Sequence, residues 1–345
     1  MKPEFIWKSK FLSDILQGIY PEFTLVSISD DKKKVLAAVI WKEVEKRLVK
    51  TGFIFKTKKI VEIEIRKCYL CVFDAESGNI LQNHEITIPM EIPDELMDVA
   101  ITDDGELVVA GCHYYSTRNI FCYKEGGGIM AFEVPSELSD RHGDFKYDSV
   151  IISRGGANVL VYVNYYLCIF NIKKGFVHYF LIGGDCDKFV PAKKCEYIAY
   201  KADHHAIYFR NYYGHEIWSI GHPYLEWVKD LALSKNGGYL LVWTDSEICL
   251  FDRDGKELWK KSLRESNIPV SSKVVVTDNG ETLVASGKEL YFLNKKGDVI
   301  WSTEFDEFIE GADISRDGGF IALIDNYKNV YVMHTKPRDL RTINW

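Results

Sequence analysis

The stretch that decides the fold runs from Val228 to Phe305: VKDLALSKNGGYLLVWTDSEICLFDRDGKELWKKSLRESNIPVSSKVVVTDNGETLVASGKELYFLNKKGDVIWSTEF. Two copies of one unit lie end to end in it. Each has a short apolar strand, a turn (SKNGG, TDNGE), a second strand, a hairpin tip, a third strand and a turn with glycine. A last strand carries tryptophan, and the spacing Gly-x-x-x-Trp is the same in Gly255 to Trp259 and Gly297 to Trp301. A unit of about forty residues with four strands is the sequence signature of a propeller blade.

The unit continues in both directions. Blade 7 is GADISRDGGFIALIDNYKNVYVMHT, and blade 4, KFVPAKKCEYIAYKADHHAIYFRNYYGHEIWSI, keeps Gly214-x-x-x-Trp218. Blade 3 is DSVIISRGGANVLVYVNYYLCIFNIKKGFVHYFLIG, and blade 2 runs from MDVAITDDGELVVAGC to IMAFEVP. Apolar alternation as in GFIALID is the period of a strand. The turns ITDDGE, LSKNGG, VTDNGE and ISRDGG put Asp or Asn and Gly where tight turns need local hydrogen bonds and positive φ. Seven such blades fill the 345 residues as one domain, residues 1–345. The expected fold is an all-β, seven-bladed β-propeller of four-stranded antiparallel blades.

PEFIWKS at residues 3–9 reads as the last strand of a blade with no blade before it. A ring that takes one blade from both chain ends hides its open edges, so the Trp7 strand is a candidate for closure. The C-terminal tail, KPRDLRTINW, competes with it for the same outer edge.

Composition bounds the function. Net charge is −7, which gives no global reason to bind nucleic acid. The first residues hold no apolar run of signal-peptide length, and nothing approaches the roughly 18 apolar residues of a membrane span. A soluble, cytoplasmic protein with no transmembrane segment is expected. No Gly-x-Ser-x-Gly, phosphate loop or His-Glu-x-x-His occurs.

These units resemble two related propeller families. The Gly-x-x-x-Trp endings at Trp218, Trp259 and Trp301 look like the repeat of quinoprotein-like, or PQQ-like, propellers. Blade 5 also resembles a WD40 repeat, with Gly221-His222 in front, LALSKNGG in the middle and Phe251-Asp252 where that family places Trp-Asp. The resemblance is one of repeat architecture, covers nearly all the chain and implies a ring of blades; it implies no particular activity, because propellers host many. The quinoprotein dehydrogenases with this repeat are exported and carry a vicinal cysteine pair and a calcium site. This sequence has no Cys-Cys, so no quinone cofactor and no metal are carried over.

Cys68 and Cys71 form a C-x-x-C inside the strand-like run IRKCYLCVFD, where residues three apart face opposite sides of a sheet. Cys71, Cys168 and Cys249 occupy one position of their blades, filled elsewhere by Ile207 and Tyr291. That is a packing position, in which free Cys behaves as a small hydrophobe. The acidic turns Asp30-Asp31, Asp103-Asp104, Asp278 and Asp317 recur between first and second strands and read as turn formers. Asp203-His204-His205, with His215 further on, is a cluster of ligand types without a ligand-spacing motif.

The sharpest feature interrupts blade 1 after FTLVSISDDKKKVLAAVIW. From Lys42 to Lys67 nine Lys or Arg stand against four Glu, in an otherwise acidic chain. A long hairpin over about residues 42–67 is expected, its tip carrying Phe53, Ile54 and Phe55 ringed by Lys50, Lys56, Lys58 and Lys59. Exposed apolar tips rimmed by charge mark contacts. Tips between second and third strands share one face, so the arm stands beside Tyr114, Tyr115 and Arg118 of blade 2 and Tyr165 and Tyr166 of blade 3. The expected function is a non-catalytic, protein-binding scaffold that uses this face. The alternative is a lactonase-type hydrolase using the central channel, and a third reading has the arm touching nucleic acid or an anionic membrane.

Overall fold

The computed structural model describes residues 4–16, 23–29, 31–51, 57–89, 92, 96–102, 106–112, 119–138, 147–153, 157–182, 186–202, 206–221, 228–262 and 272–335. They form seven four-stranded antiparallel sheets. Six of the sheets take four strands in chain order. The innermost strands, from blade 1 to blade 7, are Phe23–Ile28, Leu96–Ile101, Tyr147–Ile152, Cys186–Pro191, Val228–Leu233, Ser272–Val276 and Ile309–Ile314. Each touches the next around the ring, and that of blade 7 touches that of blade 1.

Blade 7 settles the competition between the chain ends. Its outer strand is Glu4–Ser9, paired antiparallel with Val330–His334, with Trp7 opposite Val332. A five-residue helix, Phe11–Ile15, follows and buries Leu12 and Leu16 between blades 7 and 1. The tail from residue 336 lies outside the described residues.

Hydrophobic burial explains the ring. Seven clusters of buried side chains each lie between two neighbouring blades. Both faces of a blade are therefore covered, which is why second strands such as Leu107–Cys112 are buried at every position rather than alternately. Cys68 faces the cluster between blades 1 and 2, and Cys71 that between blades 7 and 1. The C-x-x-C is thus split across the two sides of one sheet, as its spacing requires.

In blade 1 the second and third strands, Lys34–Thr51 and Thr57–Asp74, run for 18 residues each. They pair without a break from Lys34 opposite Asp74 to Thr51 opposite Thr57. The inner strand stops at the level of Ile40 and the outer strand, Ile80–Ile88, at Arg66. From Glu43 and Ile65 outward the blade is a two-stranded ribbon, nine residues a side or about 30 Å at strand rise. The hairpin is the outward continuation of two blade strands.

Candidate functional site

The ribbon divides by charge. Near the body, Lys67 bridges Glu43 at 2.8 Å and Glu85 at 2.9 Å, and these carboxylates hold its ammonium above the usual lysine range. One step out, Lys46 meets Glu62 at 3.3 Å. Beyond Glu62, residues 47–61 hold Arg47, Lys50, Lys56, Lys58 and Lys59 and no acid. The register sets Lys50 directly opposite Lys58, and Val49 opposite Lys59. Like charges directly opposite across a strand pair destabilise it, and nothing acidic in the distal sequence offsets them. Phe53, Ile54, Phe55 and Lys56 lie outside the described residues.

Tyr114, Tyr115 and Arg118 of the blade 2 tip also lie outside them. At the blade 3 tip, Asn164 and Tyr165 form a two-residue turn with φ of 45° and 71°, both positive as a tight hairpin requires. The Asn164 side-chain amide donates to the Leu138 carbonyl at 2.9 Å and fixes the turn against the preceding blade. The turn leaves Tyr165 54% exposed at the apex. Tyr166 is half-buried, edge-on to Tyr179 at 5.7 Å and packed against the core between blades 2 and 3. The two tyrosines have different surroundings: Tyr165 is presented outward and Tyr166 leans on the body.

At the opposite face, where first strands turn into second strands, the channel mouth holds a cavity of about 190 Å³. Ser27, Thr102, Lys193, Lys235 and Asp313 are its polar lining. Asp313 Oδ2 is engaged there by the Ile28 backbone N–H at 2.9 Å and the Ser27 hydroxyl at 3.2 Å. Among the described residues no three His, Cys, Asp or Glu side chains converge as a metal cluster would. Of the histidine cluster, residues 203–205 lie outside the described residues, and His215 sits at the other end of the strand Ala206–Asn211.

Of the acidic turns, Asp31, Asp278 and Asp317 each sit in a turn, while Asp30, Asp103 and Asp104 lie outside the described residues. Asp31 accepts the Ser29 hydroxyl at 2.7 Å and the Lys33 N–H at 3.0 Å, which hold its carboxyl below the usual range. They also tie blade to blade, which the sequence reading missed. Asp317 of blade 7 meets Lys32 of blade 1 at 2.5 Å, and Asp278 of blade 6 pairs with Arg316 of blade 7 and accepts the Asn236 N–H of blade 5 at 2.8 Å.

A deeper set was missed as well. Asp98, Asp230 and Asp313 stand on innermost strands and accept backbone N–H groups of the next blade, from Ile152 at 2.7 Å, Val274 at 2.9 Å and Ile28 at 2.9 Å. The signal was partial: MDVAI, VKDLAL and IEGADI each set one Asp among Val, Leu, Ile or Ala on an innermost strand, but Lys229 and Glu310 share the last two strands. A buried carboxylate needs a donor, and in a ring the donor is the neighbouring blade. Burial pushes the Asp98 carboxyl up to about 6, against the pull of the Ile152 and Val99 N–H groups.

Residues 244–343, from the end of the second strand of blade 5 onward through blades 6 and 7, match the family model described as outer membrane protein assembly factor BamB. No curated protein matches the chain. The seven-bladed ring and the matched segment together fit a PQQ-like propeller repeat protein.

Proposed function

We propose that the ring is a non-catalytic scaffold that binds another protein through the face carrying the blade 1 ribbon and the tips of blades 2 and 3. The observation that carries this is the Lys50–Lys58 register pair at the end of a ribbon about 30 Å long. A two-stranded ribbon standing clear of a sheet is marginal by itself, and like charges set opposite each other weaken it further. An acidic surface against the distal half removes that cost, and the apolar tip sequence Phe53-Ile54-Phe55 supplies the anchor. The exposed Tyr165 adds a contact of the type enriched at interfaces. The BamB likeness of the last blades agrees with protein binding. All eight cysteines are buried and free of disulfides, which supports the cytoplasm as the compartment.

The test is affinity capture from the native cell with the full chain and with a chain lacking residues 46–60. A protein held by the full chain and lost from the shortened one supports the reading. Replacing Phe53, Ile54 and Phe55 by Ser should abolish capture, because an apolar anchor acts on dissociation. Replacing Lys50, Lys56, Lys58 and Lys59 by Gln should weaken it moderately and flatten its dependence on salt above about 0.15 M. Capture of nucleic acid or anionic vesicles instead of a protein would overturn the protein assignment.

A further inference from the structure

Among the described residues, each blade ends in an outer strand with one edge left open in its four-stranded sheet. An open edge is a row of unpaired N–H and C=O groups, and charged side chains on it keep foreign strands away. Six outer strands carry such a charge: Lys8, Glu85, Glu133, Glu216, Lys260 and Glu304 are examples, one in each. The outer strand of blade 3, Gly175–Leu181, reads GFVHYFL and has no Asp, Glu, Lys or Arg.

Its surface is apolar as well as uncharged. Phe176 and Val177 are each 39% exposed and Leu181 is 55% exposed. Tyr213 of blade 4 extends the patch, edge-on to Tyr212, which stacks on His178 at 5.8 Å. The main chain is directed for pairing. The Ile182 N–H donates inward to Tyr165 O at 2.8 Å, so by antiparallel alternation Phe180 also bonds inward and Tyr179 presents its N–H and C=O to the open side. Arg210 donates to the Leu181 carbonyl at 2.7 Å and marks where the free edge ends.

We propose that this edge pairs antiparallel with the same strand of a second copy of the chain, joining two blades 3 into one eight-stranded sheet. A two-fold interface must be self-complementary. Pairing centred on Tyr179 sets Tyr179 against itself and His178 against Phe180, with no Asp, Glu, Lys or Arg along the strand; Val177, the extra residue of a bulge between His178 and Phe176, then lies near the partner's Leu181. Two chains of net charge −7 repel each other overall, so their contact belongs at a neutral edge.

The test is sedimentation velocity on the full chain from about 1 to about 200 µM, since a dimer obeys mass action. Wild type, Val177→Lys, Leu181→Lys and the control Val299→Lys on the outer strand of blade 6 are compared, each checked by circular dichroism and thermal melting. Wild type and the control should dimerise alike. Each strand variant should dimerise about tenfold more weakly, because the axis places the new charges in one short interface twice over. The two positions guard against one variant failing to fold. A wild type that sediments as a monomer throughout overturns the proposal, as does dimerisation unchanged by both lysines. Protection of the Tyr179 amide from exchange only when another protein is added would assign the edge to a foreign strand and overturn it too.

Discussion

Gly255 of blade 5 lies beneath the indole of Trp218 in blade 4: a Cβ at position 255 would stand 2.7 Å from the Trp218 ring. The Trp218 indole N–H donates to the Arg253 carbonyl at 2.8 Å, in the same turn. Gly255 has φ +82°, as does Gly297, where a Cβ would stand 2.8 Å from Trp259. The spacing Gly-x-x-x-Trp is therefore an interblade device, since each glycine seats the aromatic ring of the blade before it. Gly255→Ala should lose about 1–2 kcal/mol to positive φ and a further ~1–3 kcal/mol to overpacking. Gly126→Ala is the control, because Gly126 has φ +74° with nothing within 4 Å of its Cβ. Urea denaturation of both should show the larger loss at Gly255, and equal losses would refute the seat.

The motif explains what was legible. Gly214, Gly255 and Gly297 announce the repeat because backbone and packing both demand glycine there. The Trp7 strand could be read as a closing strand because it repeats the outer-strand pattern of the other blades. The interblade carboxylates were harder to see. A lone Asp98 in MDVAI shows burial in the sequence but not its donor, which lies 54 residues away at Ile152. The charge-free edge of blade 3 becomes visible only after outer strands are known, because its neutrality has meaning by comparison with the other six. The ribbon was legible as a basic hairpin, whereas the Lys50–Lys58 opposition is a matter of register.

Removing residues 1–9 deletes the outer strand of blade 7 and bares the edge of Val330–His334. A bared edge strand invites pairing between chains. The truncated protein should melt well below wild type and aggregate on heating. An unchanged melting temperature would show that closure rests on the inner strands alone.

Asp313 contributes to closure from the inside. It accepts the Ile28 N–H at 2.9 Å across blades 7 and 1, and it is buried. Asp313→Ala leaves that N–H without its acceptor and should cost about 1–3 kcal/mol in denaturation. Asp313→Asn keeps an acceptor oxygen and should cost less. Equal losses would mean that the carboxylate acts by charge and not through this bond.

The cysteines should be inert in the folded chain. Burial pushes the thiols of Cys71, Cys122 and Cys249 up to about 12, far from the thiolate that reacts. A disulfide reagent should label almost nothing before unfolding and all eight thiols after it. Cys71→Val, Cys168→Val and Cys249→Val should each fold, because these are packing positions. Rapid labelling of native protein that disappears in Cys71→Val would contradict this.

Asp98 gives the stability a pH dependence of unusual sign. Its folded value is raised to about 6 from 3.8, chiefly by burial. Below both values the folded and unfolded chains hold the proton equally, and the contribution is fully present. As pH rises from about 4 to about 6, the unfolded chain releases the proton while the folded chain keeps it, so stability falls along that interval and then levels. The total is at most about 3 kcal/mol, since one pKa unit is worth about 1.36 kcal/mol. Carboxyls held low by hydrogen bonds, such as Asp31 and Asp74, act with the opposite sign and lose their contribution as pH falls. They are common to wild type and Asp98→Asn, so they cancel in the difference. Asp98→Asn retains an oxygen for the Ile152 N–H and has no proton to exchange. It should be more stable than wild type at neutral pH, and the advantage should shrink to near zero by pH about 4. Urea denaturation of both proteins across this range reads the difference directly, and parallel curves would show that Asp98 does not titrate between the folded and unfolded states as its burial requires.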